Sequence, residues 1–352
     1  MGSVVQNDDN RGCSQGPRRC GRTGIRRGRG RTGIRRGGGR TGIRRGRGRT
    51  GILGAFTVLA LTALASGCAG GGGGGGGASL RPAAGQQPEK AAPPEAPAAR
   101  ALHAYAGRLR AARQAQVAAA RRWGLRKVPL TPPAPPARKP EITTRRGFEV
   151  ADHEELGLPP VFTTVPTEDR VVFLTVDDGA EKDPAFLRMM SELKIPYTAF
   201  LSNFLIKDDY GYFKKMRDLG VTLNNHTLHH PYLPALSYAR QKREICGMQE
   251  VLRERYGDRP ALFRPPYGNY DQDTLRAAKS CGVRYAPLWD EEVFVDHWEY
   301  RESDQDLHPG DIVLTHFRGR GEWKGTMPDM VRRFVDKVTS KGYAVARLED
   351  YL

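Results

Sequence analysis

Alternating strand and helix patterns across residues 170–348 predict an α/β domain on a parallel sheet, closed into a barrel rather than left open. Repeated β–α units with right-handed crossovers make successive strands parallel. The strand segments include β-branched apolar runs such as RVVFLTVD at 170–177, which suit buried parallel strands. The polar residues then favour closure. Asp177 with Asp178, His226, Arg264 and His316 fall at the C-terminal ends of four different predicted strands, and convergence of strand ends on one site is the barrel arrangement.

The elements follow in chain order. After the strand at 170–177, DPAFLRMMSEL (183–193) is amphipathic at helical period, YTAFL (197–201) is a strand, and GYFKKMRDLG (211–220) is a helix with a glycine stop. VTLNN (221–225) is a strand, YARQKREICGMQEVLRERYG (238–257) a long helix, and ALFR (261–264) a strand. A helix at 270–282, strands at 283–289 and 311–317, a helix at 327–342 and a strand at 343–348 complete the series. The folded domain is expected to begin near residue 141, and its roughly 210 residues suit one domain.

What precedes it is of a different kind. Residues 1–68 carry a net charge of +13 and residues 69–140 one of +10, whereas 141–352 carry −6. The overall +17 therefore describes the flanking segment, and the part able to build a core is mildly acidic. GRTGIRRGR recurs with a period of nine from residue 21 to 47, a unit too polar to bury a core. ILGAFTVLALTALA (52–65) follows that positive charge and ends in small residues, the layout of a secretory signal and too short for a comfortable membrane span. LASGC, ending at Cys68, resembles a bacterial lipobox. That implies cleavage, a lipid on Cys68, and an extracytoplasmic, membrane-anchored protein. Residues 1–68 are thus expected to be repeat and signal, and 69–140 a tether rich in Gly, Pro and Ala with a basic helix near 97–123. Arg/Gly tracts bind nucleic acid, but the mature chain would lack this one, so no nucleic-acid partner is expected. A monomer is. Cys246 and Cys281 would remain outside the membrane, either bridged or as two buried thiols.

Four short stretches carry chemistry. TVDDG (175–179) sets two carboxylates at a strand end, where they diverge, so that one can bind a metal while the other faces substrate; alone it also reads as an ordinary turn. HTLHHP (226–231) offers imidazoles at i, i+3 and i+4, so His226 could share a cation with His229 or His230. Pro231 argues against an ideal helix there. One Asp with two His leaves open positions on Zn²⁺, the catalytic rather than the structural pattern. FRPPYG (263–268) places Arg264 at a strand end, where Asp177 is the obvious partner for a buried guanidinium. DIVLTHF (311–317) puts His316 just past an apolar strand.

In this order, TVDDG, HTLHHP, FRPPYG and IVLTH resemble the polysaccharide deacetylases of carbohydrate esterase family 4, the NodB-homology group, over roughly residues 165–350. The resemblance implies a distorted (β/α) barrel of about seven strands. It implies removal of N- or O-acetyl groups from chitin-like oligomers, peptidoglycan or xylan with a divalent metal, zinc first, with cobalt, manganese or nickel as alternatives. It makes Asp177 the general base, Asp178, His226 and His230 the metal ligands, Arg264 the partner of Asp177, and His316 the general acid. Tyr267 would contribute its backbone N–H to an oxyanion hole, and Leu314 would line the pocket for the acetyl methyl. Two features depart from the family pattern. Ala180 stands where a proline is usual, and the family's D-x-x-D-W motif is present only as WDEEVFVDHW (289–298). Asp296 is taken as the residue tuning His316, with Glu292 as its rival. Because of that altered motif, a non-catalytic or weakly active carbohydrate-binding barrel is the alternative reading.

Overall fold

The computed structural model describes residues 97–352; the repeat, the signal, Cys68 and the first part of the tether lie outside the described residues. The chain opens with helix α1 (Pro97–Arg122), the short α2 (His153–Leu156) and strand β1 (Val161–Phe162). It continues through β2 (Val171–Asp178), α3 (Pro184–Leu193), β3 (Thr198–Leu201), α4 (Asn203–Ile206), α5 (Tyr210–Asp218) and β4 (Thr222–Asn225). Then come α6 (Tyr238–Tyr256), α7 (Gln272–Ser280), β5 (Ala286–Pro287), β6 (Glu291–Val293), β7 (Trp298–Tyr300), β8 (Ile312–His316), α8 (Met327–Ser340) and β9 (Ala344–Ala346).

Every residue of β2 is buried, as expected of a central strand covered on both faces. β2 pairs in parallel with β3 through Thr175–Asp178 and with β8 through Phe173–Asp177. β9 pairs with its first residues, Val171–Phe173. β3 pairs with β4, and β6 with β8, also in parallel. Single bridges continue the neighbours from Asn225 to Phe263 and from Leu262 to Tyr285, whence the chain runs on into β6. The circuit is therefore distorted, with two steps that are bridges rather than ladders. The prolines explain this: Pro260, Pro265, Pro266 and Pro287 lack the N–H that a ladder needs. The predicted strands at 261–264 and 283–289 shrink accordingly. The antiparallel hairpin of β6 and β7 has no counterpart in the sequence reading.

Helix starts are set by local chemistry. Asp183 accepts a hydrogen bond from Ala185 N ahead of Pro184, and Asp271 with Thr274 and Thr326 with Asp329 form reciprocal caps on α7 and α8. Cys246 in α6 is bonded to Cys281 just after α7, which resolves the two alternatives for that pair. α1 forms over nearly the residues expected, yet its last turns do not belong to a free tether. Ala119 and Ala120 are buried, Gln116 Nε2 donates to Leu193 O at 2.8 Å, and Trp123 Nε1 donates to Glu192 Oε2 at 2.7 Å. Trp123, Leu125 and Val128 pack on the main core. Alanines present little bulk, so the helix backbone can lie close against α3. Packing thus begins well before residue 141.

Candidate active site

The site lies where β2, β4 and β8 end. Asp177 is directly opposite His316 across the β2–β8 pair, so the two side chains share one face of the sheet. Two residues earlier on each strand, on the same face, Thr175 is opposite Leu314, which is buried. Asp178 leaves the strand at φ 80° and Gly179 at φ 95°. A Cβ on Gly179 would lie 2.5 Å from Ile206 Cγ2, so only glycine permits this exit.

Arg264 is fully buried and spends its donors on four acceptors. Its Nη1 reaches Asp177 Oδ1 and Thr175 Oγ1, each at 2.8 Å, its Nε reaches Pro287 O at 2.9 Å, and its Nη2 reaches Leu288 O at 2.8 Å. The guanidinium is thereby fixed, and it fixes one oxygen of Asp177. Burial raises the Asp177 carboxyl to about 6, against the pull of Arg264 and His316. Such a value suits a base working near neutrality.

His226 Nδ1 donates to Arg264 O at 2.7 Å. A carbonyl can only accept, so the proton is on Nδ1 and the Nε2 lone pair faces the site. Burial, with the nearby charge of His230, lowers His226 to about 3, which keeps it neutral. His230 is likewise lowered by burial. It is held at φ 56°, with its N–H on Thr227 Oγ1 at 3.0 Å; Pro231 makes the helical alternative unfavourable. The two Nε2 atoms are 3.2 Å apart, and Asp178 Oδ1 is 3.7 Å from His226 Nε2 and 3.4 Å from His230 Nε2. That buried oxygen has no hydrogen-bond partner. Two imidazole nitrogens and an orphaned carboxylate oxygen converging within 4.8 Å fit a divalent cation. His229 faces away, its Nδ1 2.9 Å from Glu244 Oε1.

His316 is paired with Glu292, whose Oε1 is 3.0 Å from Nδ1. Burial alone would pull this imidazole down, but Glu292, with Asp178 and Asp177, overcomes it and raises the group to about 8. Asp296 has no part in this and its assignment is corrected. It sits exposed on the β6–β7 turn, paired with His297 at 2.7 Å. The turn closes between Phe294 N and His297 O, which directs residue 296 to the hairpin tip, whereas Glu292 lies within β6 opposite Leu314. Tyr267, at φ 60°, is half exposed and sets its ring edge-on to His230 at 4.6 Å. The sequence reading missed Arg318, whose Nη2 donates to Asp178 Oδ2 at 2.9 Å. An arginine two residues after His316 carries no signal in one sequence.

A sequence profile of the polysaccharide deacetylases matches residues 164–286. An uncharacterized protein of Streptomyces coelicolor is 43% identical over 196 residues, covering 55% of this chain and 78% of that protein. The chain belongs to the polysaccharide deacetylases of carbohydrate esterase family 4. The peptidoglycan-N-acetylmuramic acid deacetylase PdaA of Bacillus subtilis is 25% identical over 201 residues, covering 53% of this chain and 73% of its own. A crystal structure of a peptidoglycan N-acetylglucosamine deacetylase shares the fold, with a TM-score of 0.50 at 21% identity, over 58% of this chain and 97% of the other. Asp177, His316 and the three residues that could hold a metal lie at or just past the ends of β2, β4 and β8, with β3 between β2 and β4, and they are residues the resemblance named.

Proposed function

We propose that the chain hydrolyses acetyl groups, N-acetyl amides foremost and O-acetyl esters as the alternative, on a cell-envelope or chitin-like polysaccharide, with a divalent metal. The observation that carries the reading is the cross-strand pair of Asp177 and His316 beside the converging Asp178, His226 and His230. The last three would hold the cation, zinc first with cobalt, manganese or nickel as alternatives, and it would supply Lewis acidity toward water and the acetyl carbonyl. Asp177, one oxygen held by Arg264, keeps the other free to take the proton of the attacking water. His316, its Nδ1 engaged by Glu292, presents Nε2 to protonate the departing amine. The backbone N–H of Tyr267 would stabilise charge on the carbonyl oxygen, and Leu314 would floor the acetyl pocket.

Peptidoglycan is the first polymer to test, supported by the names of several relatives. Action outside the cytoplasm, on a lipid held by Cys68, is part of the proposal. The Cys246–Cys281 bond supports it, because disulfides persist in oxidising compartments. Incubation of the full chain with peptidoglycan, chitooligomers and acetylated xylan, followed by acetate measurement, tests the whole reading. Release from at least one polymer is expected, lost in Asp177→Asn. His226→Ala should lose the metal of this site, whereas His229→Ala should retain it. No release from any polymer with zinc or cobalt supplied, or full activity in Asp177→Asn, refutes it.

A further inference from the structure

A second set of ionisable groups lies at the other end of β8. Glu292 turns to His316, so its neighbour Glu291 turns to the opposite face of β6. There it meets Asp311, immediately before β8, and His308 on the loop leading to it; one ligand atom from each lies within 4.8 Å of the others. Five residues of strand separate Asp311 from His316, roughly 16 Å at about 3.3 Å per residue.

Glu291 and Asp311 are almost completely buried, at 1% and 0% exposure. Glu291 Oε2 and Asp311 Oδ1 have no hydrogen-bond partner. Two carboxyls in a dry interior cannot both stay ionised without positive charge between them: burial and the neighbouring Asp311 push Glu291 up toward its protonated form, and a cation can take the place of the proton the pair would otherwise share. Neither Arg145 nor Lys337 touches the pair. Arg145 is committed to Asp290 at 2.7 Å and to Glu302. Lys337 holds its Nζ over the rings of Trp298 and Tyr300, at 5.6 and 4.8 Å.

His308 shows which charge fits. Its Nε2 is 3.1 Å from Asp304 Oδ2, and its Nδ1 is 3.5 Å from Asp311 Oδ2. A proton on Nε2, held by Asp304, leaves the Nδ1 lone pair facing a carboxylate oxygen. Asp311 and Asp304 also favour the doubly protonated ring, which would donate from Nδ1 to Asp311; a metal ion can stand in place of that Nδ1 proton. A carboxylate behind the histidine and a lone pair in front is how proteins orient a metal-binding imidazole. A cavity of about 470 Å³, lined by Asp304, His308, Pro309 and Asp311 among others, provides access from solvent.

We propose that Glu291, His308 and Asp311 form a second divalent-cation site, distinct from the active site, with Asp304 as the positioning residue of His308. Two carboxylate oxygens and one imidazole nitrogen suit Zn²⁺ or Mn²⁺ better than Ca²⁺, which favours an all-oxygen shell. The ion would tie the 301–310 loop to β6 and β8, and its role is structural.

The test is metal counting on the full chain. Protein loaded with zinc, freed of excess and analysed by mass spectrometry should carry two equivalents. Glu291→Gln, which keeps the side-chain shape, should carry one, as should His308→Ala, which alters a half-exposed residue. His226→Ala should also carry one, and zinc should still raise its Tm; that rise should vanish in His226→Ala/His308→Ala. Asp304→Asn should weaken the second equivalent about 10- to 100-fold. One equivalent in the wild type with none in His226→Ala would overturn the proposal, as would two equivalents retained in both Glu291→Gln and His308→Ala. A Tm raised in Glu291→Gln with the metal count unchanged would also overturn it, since a proton shared with Asp311 would then suffice.

Discussion

Replacing Glu292 by Gln isolates the charge that sets the acid. The substitution keeps the side chain's length and an oxygen able to accept from His316 Nδ1, now 3.0 Å away, and removes only the carboxylate. His316 stands at about 8, against 6.5 for an unperturbed imidazole, in spite of burial that pulls the other way. That lift, from 6.5 to about 8, corresponds to about 2 kcal/mol in favour of the imidazolium. Glu292 supplies the largest raising contributions, so its loss should return His316 to about 6.5 or below. At pH 7.5 a group titrating at about 8 is roughly three-quarters protonated and one at about 6.5 roughly one-tenth. The rate of acetate release at that pH should therefore fall about eightfold. Toward pH 6 the loss should shrink, because more of the variant's His316 is protonated there. Acetate release measured from pH 5 to 9.5 reads the effect as a downward shift of the alkaline limb by at least about 1.5 units. Asp296→Asn, on the hairpin tip, should leave that limb in place. An unshifted limb in Glu292→Gln, or an equal shift in Asp296→Asn, refutes the reasoning.

Three further expectations follow from the packing. Arg264→Met strands the buried Asp177 charge and the carbonyls of Pro287 and Leu288; chemical denaturation should show a loss of about 3–5 kcal/mol. Because Arg264 holds the Asp177 carboxyl down, the acid limb of any surviving activity should move to higher pH, and an unmoved limb would break the link. Removing the Cys246–Cys281 bond by a double change to serine opens a crosslink spanning 35 positions and should cost about 3–4 kcal/mol; thiol titration of the denatured wild type should find neither cysteine free. A chain beginning at residue 141 forfeits the contacts of Ala119, Ala120, Trp123, Leu125 and Val128. Its Tm should lie several degrees, roughly 5–10 °C, below that of a chain beginning at 97, and equal melting temperatures would show that α1 docks without stabilising.

The sequence was most informative where one period dominated. β2, α3, β3, α5, β4, α6 and α8 lie within a residue or two of their predicted bounds, because apolar spacing and capping residues act locally. It was least informative from 261 to 300. There, prolines interrupt the ladders, and WDEEVFVDHW offers three acidic residues before Asp296 with no spacing to choose among them. Register made the choice. Glu292 sits opposite Leu314, two positions before His316, and register is a property of two strands together. The docking of α1 was hidden for a similar reason. An alanine-rich helix shows a thin apolar stripe, and only the surface of α3 reveals that small residues are what the contact requires. Leu102, Tyr105 and Leu109, the conspicuous part of that stripe, remain exposed.

The division of labour proposed for Asp177 and Asp178 is likewise a matter of surroundings rather than of residue type. Both are aspartates at one strand end, and both are buried. Asp177 points toward the sheet face that carries Thr175 and Arg264, where one guanidinium opposes the cost of burial without cancelling it, and the carboxyl is left near 6. Asp178, turned the other way at φ 80°, also bears the cost of burial, but His316, His226, His230 and Arg318 surround it and outweigh that cost, so its carboxyl is held below the ordinary value. A carboxylate that stays ionised is the better ligand; one that takes and returns a proton near neutrality is the better base. The left-handed turn at Asp178 and the glycine after it separate the two environments. Gly179 thus matters to the site although it touches none of its polar atoms: a side chain there would meet Ile206, and any shift of that turn would rotate Asp178 away from His226, His230, His316 and Arg318.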